Sequence, residues 1–591
     1  MRLLLASFVV LALSACALER APRRADLERA EGLRPTTLDC AGCAEDTPLA
    51  ALVEVSAAES TVEAPVHFVS LVEDGESALA LRLNLVRAAR ESVELQTFIL
   101  ENDDAGRLML GELLRAARRG VRVRILSDQL FSLGDLRLLA ALATAHANLE
   151  LKSFNPAFGN ASTAPSEFAA GILCCFLRFN QRMHQKLLLV DRRYGITGGR
   201  NVDDRYYDLS SAFNYRDRDV LLIGPETESM ARAFEQHWQH DGSVPAAGLR
   251  DVAREVGRTA DLDLPARLVA QSPEAQAIAV RARDPEFVRR AFIEPAFRVG
   301  RVEYFADHPS KLFGERAPET RDESERLALL IEGASERVTL QTPYLVLSQR
   351  ARDAFQKLRV EHPKIVFRVA TNSLAATDAF YVYAISYKYK RRYMSRYKFE
   401  LHEYKPHPAD YAGPHDPEGG LIHRREPIPL ARPGVRRGLH AKAIVLDGRI
   451  AVIGTHNFDP RSDRLNTEPG LIVWDAPFAR ALEQSIERDM APENSWLMAR
   501  RPPRDPISRI GAAIGKVSER LPVFDLWPFR YATSYELKPE CPVAPMPPRP
   551  RSEEFQRCYE DVGELPEVGV SLKQVYTRLV TAFGAVLEPI L

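Results

Sequence analysis

Two short stretches of this 591-residue chain repeat one arrangement of groups suited to handling a phosphate: His184-x-Lys186 followed by Asp191, and His440-x-Lys442 followed by Asp447. Each continues alike, because Gly198 and Asn201 stand in the same places after His184 as Gly454 and Asn457 do after His440. One H-x-K-x-x-x-x-D match is a weak signal, since short motifs arise by chance; a second copy with the same glycine and asparagine extension is a strong one. An imidazole serves as nucleophile or proton carrier near neutral pH, an ammonium is a compact cation, and a side-chain amide donates without titrating. On a strand, residues two apart face the same way, so His184 with Lys186 and His440 with Lys442 would each present as a pair. Small residues at Gly198-Gly199 and Gly454-Thr455 allow close approach to a ligand before Asn201 and Asn457.

If the two copies face one another, two Lys and two Asn converge on one anion. One His would then attack phosphorus to give a phosphohistidine, and the other would protonate the departing alkoxide and later deprotonate the incoming alcohol or water. Lys186, Lys442, Asn201 and Asn457 would stabilise the charge that develops on phosphorus-bound oxygen. This chemistry calls for no metal and no cofactor. A carboxylate on the far ring nitrogen should fix each imidazole tautomer. Glu468 is the candidate in the second half, beside His440; in the first half it is Asp217 or Asp219, with Asp217 preferred, beside His184. Asp191 and Asp447 complete the motifs and read as structural, orienting loops or neighbouring backbone. Satisfied core histidines with solvated lysines would be the plain reading of either motif alone; the matched pair argues against it.

The elements that must position these groups also come in pairs. The apolar, β-rich run Val93–Leu100 is echoed by 338–345, and 120–128 by 364–372, in the same order as the His-Lys motifs. A helical pattern precedes each second strand, over 105–119 and 350–360. Strands alternating with helices, twice over, predict two α/β units, each a mixed β-sheet flanked by helices. The boundaries expected are a signal over 1–16, a tether over 17–65, a first repeat over 66–245, a charged connector over 246–320, a second repeat over 321–500, and a Pro-rich then amphipathic extension over 501–591.

Composition narrows the partners. The hydrophobic fraction of 46% is ordinary for a folded protein, and 79 basic against 80 acidic residues leave no global field toward a polyanion, so no nucleic acid partner is expected. The stretch Tyr381–Lys398 combines tyrosines with Lys and Arg, and could rest at an anionic membrane surface or pack its rings on the core. The first sixteen residues have the grammar of an export signal and are too short to span a membrane as a helix. Leu13-Ser14-Ala15-Cys16 resembles the bacterial lipobox, which implies lipidation of Cys16. The location so implied is a lipoprotein on the periplasmic side of a membrane, the outer membrane being favoured over the inner by Ala17. Export permits disulfides. Cys40-x-x-Cys43 lacks a second ligand pair for zinc and reads as a disulfide, whereas Cys174 and Cys175 read as buried free thiols. Pairing between the 40/43 and 541/558 regions stays open.

With their GGRN and GTHN extensions, the paired motifs resemble the phospholipase D superfamily over roughly residues 66–500. Arg182–Lys186, Asp307–Lys311, Thr371–Asp378, Asp459–Ser462 and Asn466–Glu468 are similar to the bacterial cardiolipin synthases, especially their C-type subgroup. The resemblance implies two phospholipase D-like repeats about a pseudo-twofold axis with one shared active site. It also implies His184 as nucleophile and transfer of a phosphatidyl group to a lipid alcohol such as phosphatidylglycerol. Hydrolysis by a phospholipase D or another phosphodiesterase or nuclease is the alternative, and a catalytically inactive lipoprotein scaffold is a third. Decay of one motif would mark the scaffold, and both are intact. Phospholipids and a membrane surface are the expected partners; the sequence identifies no protein partner.

Overall fold

The computed structural model describes residues 23–575 apart from 41–42, 131, 260–261, 313–322, 412–429, 432–433, 501–531, 544–546, 549, 551 and 570–573. The signal with Cys16, and most of the amphipathic end, lie outside the described residues.

Two mixed sheets, of nine and ten strands, organise the chain. Across the first, the order is His67–Val72, Asp219–Ile223, Tyr194–Gly198, Leu187–Val190, Ser92–Thr97, Arg122–Asp128, Leu149–Phe154 and Ser243–Pro245. Across the second it is Val302–Ala306, Pro469–Val473, Ile450–Gly454, Ala443–Leu446, Arg337–Gln341, Val366–Asn372, Glu400–Tyr404 and Ser495–Arg500. The two orders match strand for strand, and so does direction. Ser92–Thr97 runs parallel to Arg122–Asp128, and that to Leu149–Phe154, as do their counterparts in the second sheet; the other neighbours are antiparallel. This is the doubled α/β fold expected from the echoed strands.

Alternation along the strands decides where the core sits. Leu188 and Val190 face the helices outside the first sheet, while Leu187 and Leu189 join a cluster shared by both halves. Ala443 and Val445 enter that shared cluster from the other side, and Ile444 and Leu446 face outward into a third. Burying such side chains stabilises the fold by about 1.5–3 kcal/mol each, so the shared cluster, with Phe234, Trp238, Phe478 and Ile486, welds the halves together. The expected helices form as Asp104–Arg118 and Gln349–Glu361, with Asp103 and Ser348 accepting from Gly106 N and Ala351 N at their starts.

Several segments do more than expected. The region read as a tether contributes helices Arg24–Leu33 and Ala50–Glu59, and Ala30 and Leu49 are buried in the first core. The connector supplies Phe297–Val299 to the edge of the first sheet and Val302–Ala306 to the second. The extension adds Ala532–Leu537 and Tyr559–Gly563 to the second sheet, beside a Cys541–Cys558 disulfide. Cys40 pairs with Cys43, so no bond joins the two regions. Cys175 is disulfide-bonded and half-buried rather than a buried free thiol, because its run comes to the surface, where Phe176 and Leu177 are exposed. The basic aromatic helix forms as Phe380–Arg392 and turns Tyr383 and Lys390 inward, Lys390 pairing with Glu403 at 2.5 Å. Among the described residues no helix is long and apolar enough to cross a membrane.

Candidate active site

Two small parallel ladders build the site, and both cross between the halves. Arg182–Met183, just before His184, pairs with Asn466–Thr467, just before Glu468. Arg436–Leu439, just before His440, pairs with Phe213–Arg216, just before Asp217. Parallel pairing carries both chains onward in the same direction, so each His emerges beside the carboxylate of the opposite half. The ladders continue into the motifs: His184 N donates to Thr467 O at 3.0 Å, and His440 N to Arg216 O at 2.8 Å. The His-x-Lys segments themselves lie between these ladders and the strands Leu187–Val190 and Ala443–Leu446, not within a strand as expected.

The consequence corrects the assignment of the orienting carboxylates. His184 Nδ1 is 2.7 Å from Glu468 Oε2, and His440 Nδ1 is 2.6 Å from Asp217 Oδ2. Sequence spacing had paired each His with a carboxylate of its own half; the crossing ladders exchange them. Asp219 is taken by Arg82 at 2.7 Å and by Arg200 at 3.4 Å, which settles the choice between the two aspartates. Each carboxylate is nevertheless supported by the turn of its own half. A Cβ on Gly199 would meet Asp217 Oδ1 at 2.1 Å, so only glycine leaves room there. Its counterpart Thr455 instead donates its hydroxyl to Glu468, which also receives Asn466 Nδ2 at 3.1 Å. Asp307 of the connector accepts from Glu468 N at 3.0 Å and from Lys311 Nζ at 2.7 Å.

The two histidines, their carboxylates and the two motif lysines are all buried, and burial shifts their charge states. Burial lowers His184 to about 3 and His440 to about 4, against the pull of Glu468 and Asp217. The carboxylates, which burial alone would raise, are held low by their histidines and by the lysines, Glu468 at about 2 and Asp217 lower still. A carboxylate only accepts, so the shared proton of each pair sits on Nδ1 and leaves Nε2 as the accepting nitrogen. Burial also pulls Lys186 down to about 7 and Lys442 to about 8. Lys442 acts on both His184 and Lys186, and Asp217 on Lys186, so the two motifs form one electrostatic unit.

Each lysine is anchored on its own histidine. Lys186 Nζ donates to His184 O at 2.8 Å, and Lys442 Nζ donates to His440 O while lying 2.9 and 3.0 Å from the two ring nitrogens. The asparagines differ. Asn201 Oδ1 accepts from Ile99 N at 3.1 Å, and its Nδ2 donates to Tyr206 Oη at 2.8 Å. Asn457 Oδ1 is buried with no partner among the described residues. Asp191 and Asp447 stay out of the site. Asp191 accepts the backbone N–H of Arg90, Glu91 and Ser92, and Asp447 those of Ser335, Glu336 and Arg337, pinning the starts of the central strands.

Three aromatic residues escaped the motif reading. Phe98 and His184 pack edge-to-face at 4.9 Å between centroids, and Tyr206 and Tyr215 pack on His440 at 5.1 and 4.8 Å. Tyr206 Oη is 3.5 Å from His440 Nε2. Aromatic residues carry no spacing rule, and nothing in their sequence context marks these three. Among the described residues no group of three or more His, Cys, Asp or Glu is arranged to hold a metal ion.

Two imidazole–carboxylate pairs with two lysines, presented by duplicated α/β sheets, define a phospholipase D-type site. A family model described as cardiolipin synthase, PLD-like domain, matches residues 83–238 and 327–490. The chain is 31% identical over 416 residues to cardiolipin synthase C of Escherichia coli (strain K12), covering 70% of this chain and 82% of that protein. It is 23% identical over 434 residues to a cardiolipin synthase of Oceanobacillus iheyensis, covering 73% and 70%. A solved phosphatidylserine synthase of Haemophilus influenzae Rd KW20 is similar with a TM-score of 0.48 and 12% identity, over 78% of this chain and 93% of that one. The chain belongs to the cardiolipin synthase family of phospholipase D-like proteins, and is an enzyme of the phosphatidyltransferase and phosphodiesterase class.

Proposed function

We propose that this enzyme transfers a phosphatidyl group from one phospholipid to the alcohol of another, such as phosphatidylglycerol, through a phosphohistidine on His184. What carries the reading is the crossed pairing, which supplies two neutral imidazoles with Nδ1 fixed as donor and Nε2 as acceptor. His184 Nε2 attacks phosphorus as the bond to the head-group oxygen breaks. The phosphodiester anion raises the pKa of His440 beside it, so that His440 takes up a proton from solvent at Nε2 and donates it to the departing alkoxide. Neutral His440 then removes the proton of the incoming alcohol, whose oxygen displaces His184 and regenerates it. Lys186 and Lys442 offset the charge on the phosphoryl oxygens, a contribution on the order of 3–4 kcal/mol for each well-placed donor.

The same proposal places the enzyme at a membrane, where both lipids meet in one plane, held by acyl chains on Cys16. The test incubates the detergent-solubilised full chain with phosphatidylglycerol and EDTA and follows the lipids. Cardiolipin with glycerol supports transfer; phosphatidic acid as the sole lipid product overturns it in favour of hydrolysis. Labelling with radioactive palmitate should be lost on Cys16→Ala, and label retained by that variant would refute the anchor.

A further inference from the structure

Asp378 ends the Thr371–Asp378 run and is exposed, yet two phenols hold it. Tyr215 Oη donates to its Oδ2 at 3.0 Å, and Tyr344 Oη lies 2.9 and 3.0 Å from its two oxygens. Tyr215 is also the ring packed on His440. A single tyrosine side chain therefore spans the interval from the imidazole to the carboxylate. The charge on Asp378 is felt across it, for it is among the groups that raise His440 and Lys442 against the burial that lowers them. Neither the transfer chemistry nor the fold uses this carboxylate: among the described contacts its partners are the two phenols, and an ionised carboxylate has roughly four acceptor positions. On the His184 side the ring packed on the imidazole is Phe98, which carries no hydroxyl.

We propose that Asp378 is a specificity residue of the alcohol subsite, accepting a hydrogen bond from the second hydroxyl of a glycerol-type acceptor whose first hydroxyl is presented to His440. The inference rests on the assignment of His440 to the alcohol. A simple monoalcohol gains only the His440 contact, and water bridges nothing. The hydroxyl of a free polyol and that of a lipid head group offer the same chemistry to this residue.

The test is a competition in one vessel. Full-length protein in detergent receives phosphatidyl-p-nitrophenol with equimolar glycerol and 1-propanol, and the ratio of phosphatidylglycerol to phosphatidylpropanol is read by mass spectrometry. Wild type should favour glycerol. Asp378→Asn should lower the ratio about tenfold, the order of a lost hydrogen bond to a charged group; Asp378→Glu should restore part of it, and Tyr344→Phe should lower it less. A ratio unmoved by Asp378→Asn would overturn the proposal. If Asp378→Asn yields no product, the Tyr344→Phe ratio decides in the same way. Phosphatidic acid alone from wild type would overturn the transferase reading and this inference with it; alcohol products indifferent to Asp378 overturn the inference alone.

Discussion

The two halves present the same His, Lys and carboxylate, and surround them differently. His184 packs edge-to-face with Phe98, with its lysine 5.3 Å from that ring, and among the described residues no hydroxyl hydrogen-bonds to its Nε2. His440 packs against the adjacent rings of Tyr206 and Tyr215, with Tyr206 Oη near its Nε2 and Asn201 holding that phenol. An apolar wall leaves a neutral imidazole free to attack, whereas a phenolic wall surrounds a proton that must shuttle to and from an alcohol. On the proposed mechanism, the aromatic neighbours divide the labour between two otherwise equivalent imidazoles.

The sharpest way to break this comparison is to remove one member at a time. His184→Ala and His440→Ala should each lower turnover on phospholipid by roughly ten-thousand-fold or more, since members of such a unit fail together; an active single variant would mean two independent sites. Next in size are the orienting carboxylates, about 100- to 10,000-fold by analogy with a triad carboxylate. Here the crossing makes a distinctive prediction. Glu468→Gln should slow phosphohistidine formation from an activated p-nitrophenyl donor, and Asp217→Asn should spare that step and slow its discharge to the alcohol. The opposite pattern in stopped-flow traces would restore pairing within each half.

A smaller effect follows from the lysines. Burial pulls Lys186 down to about 7 and Lys442 to about 8, so both lose charge as pH rises through that window. Activity depends on the charged form of both and should therefore fall from pH 7 upward, by about tenfold per unit between the two values and by up to about a hundredfold per unit once past both. Lys186→Arg, whose guanidinium stays charged, should move that limb upward; a limb that does not move would assign it to another group. Smallest for the chemistry are Asp191→Ala and Asp447→Ala. Each strands three backbone N–H groups at a strand start, so each should cost about 1–3 kcal/mol in urea unfolding, with turnover per folded molecule retained. A loss of turnover in the folded protein would put these aspartates back in the site.

The symmetry of the molecule was legible, and its crossing was not. Echoed strands and motifs follow from local pattern, and the GxxN turns lay at matched spacing. Which carboxylate meets which imidazole depends on ladders that join residues 182–183 to 466–467 and 213–216 to 436–439, pairings too far apart for local pattern to register. Glu468 and Asp217 were found as residues and misassigned as partners for that reason. Phe98, Tyr206 and Tyr215 were missed because packing, not spacing, selects them. The segment around Leu49 read as a tether because Ala50–Glu59 lacks an amphipathic period, yet its few apolar contacts dock it on the first half.

The division of labour is tested most directly by trapping the covalent intermediate. His440→Ala, given phosphatidyl-p-nitrophenol, needs no proton for the leaving group and lacks the base that readies the acceptor. Rapid quench should show a stoichiometric burst of p-nitrophenol, and peptide mapping should place an acid-labile phosphatidyl group on His184. No burst, or a labelled His440 in wild type with His184 unmodified, would contradict the account.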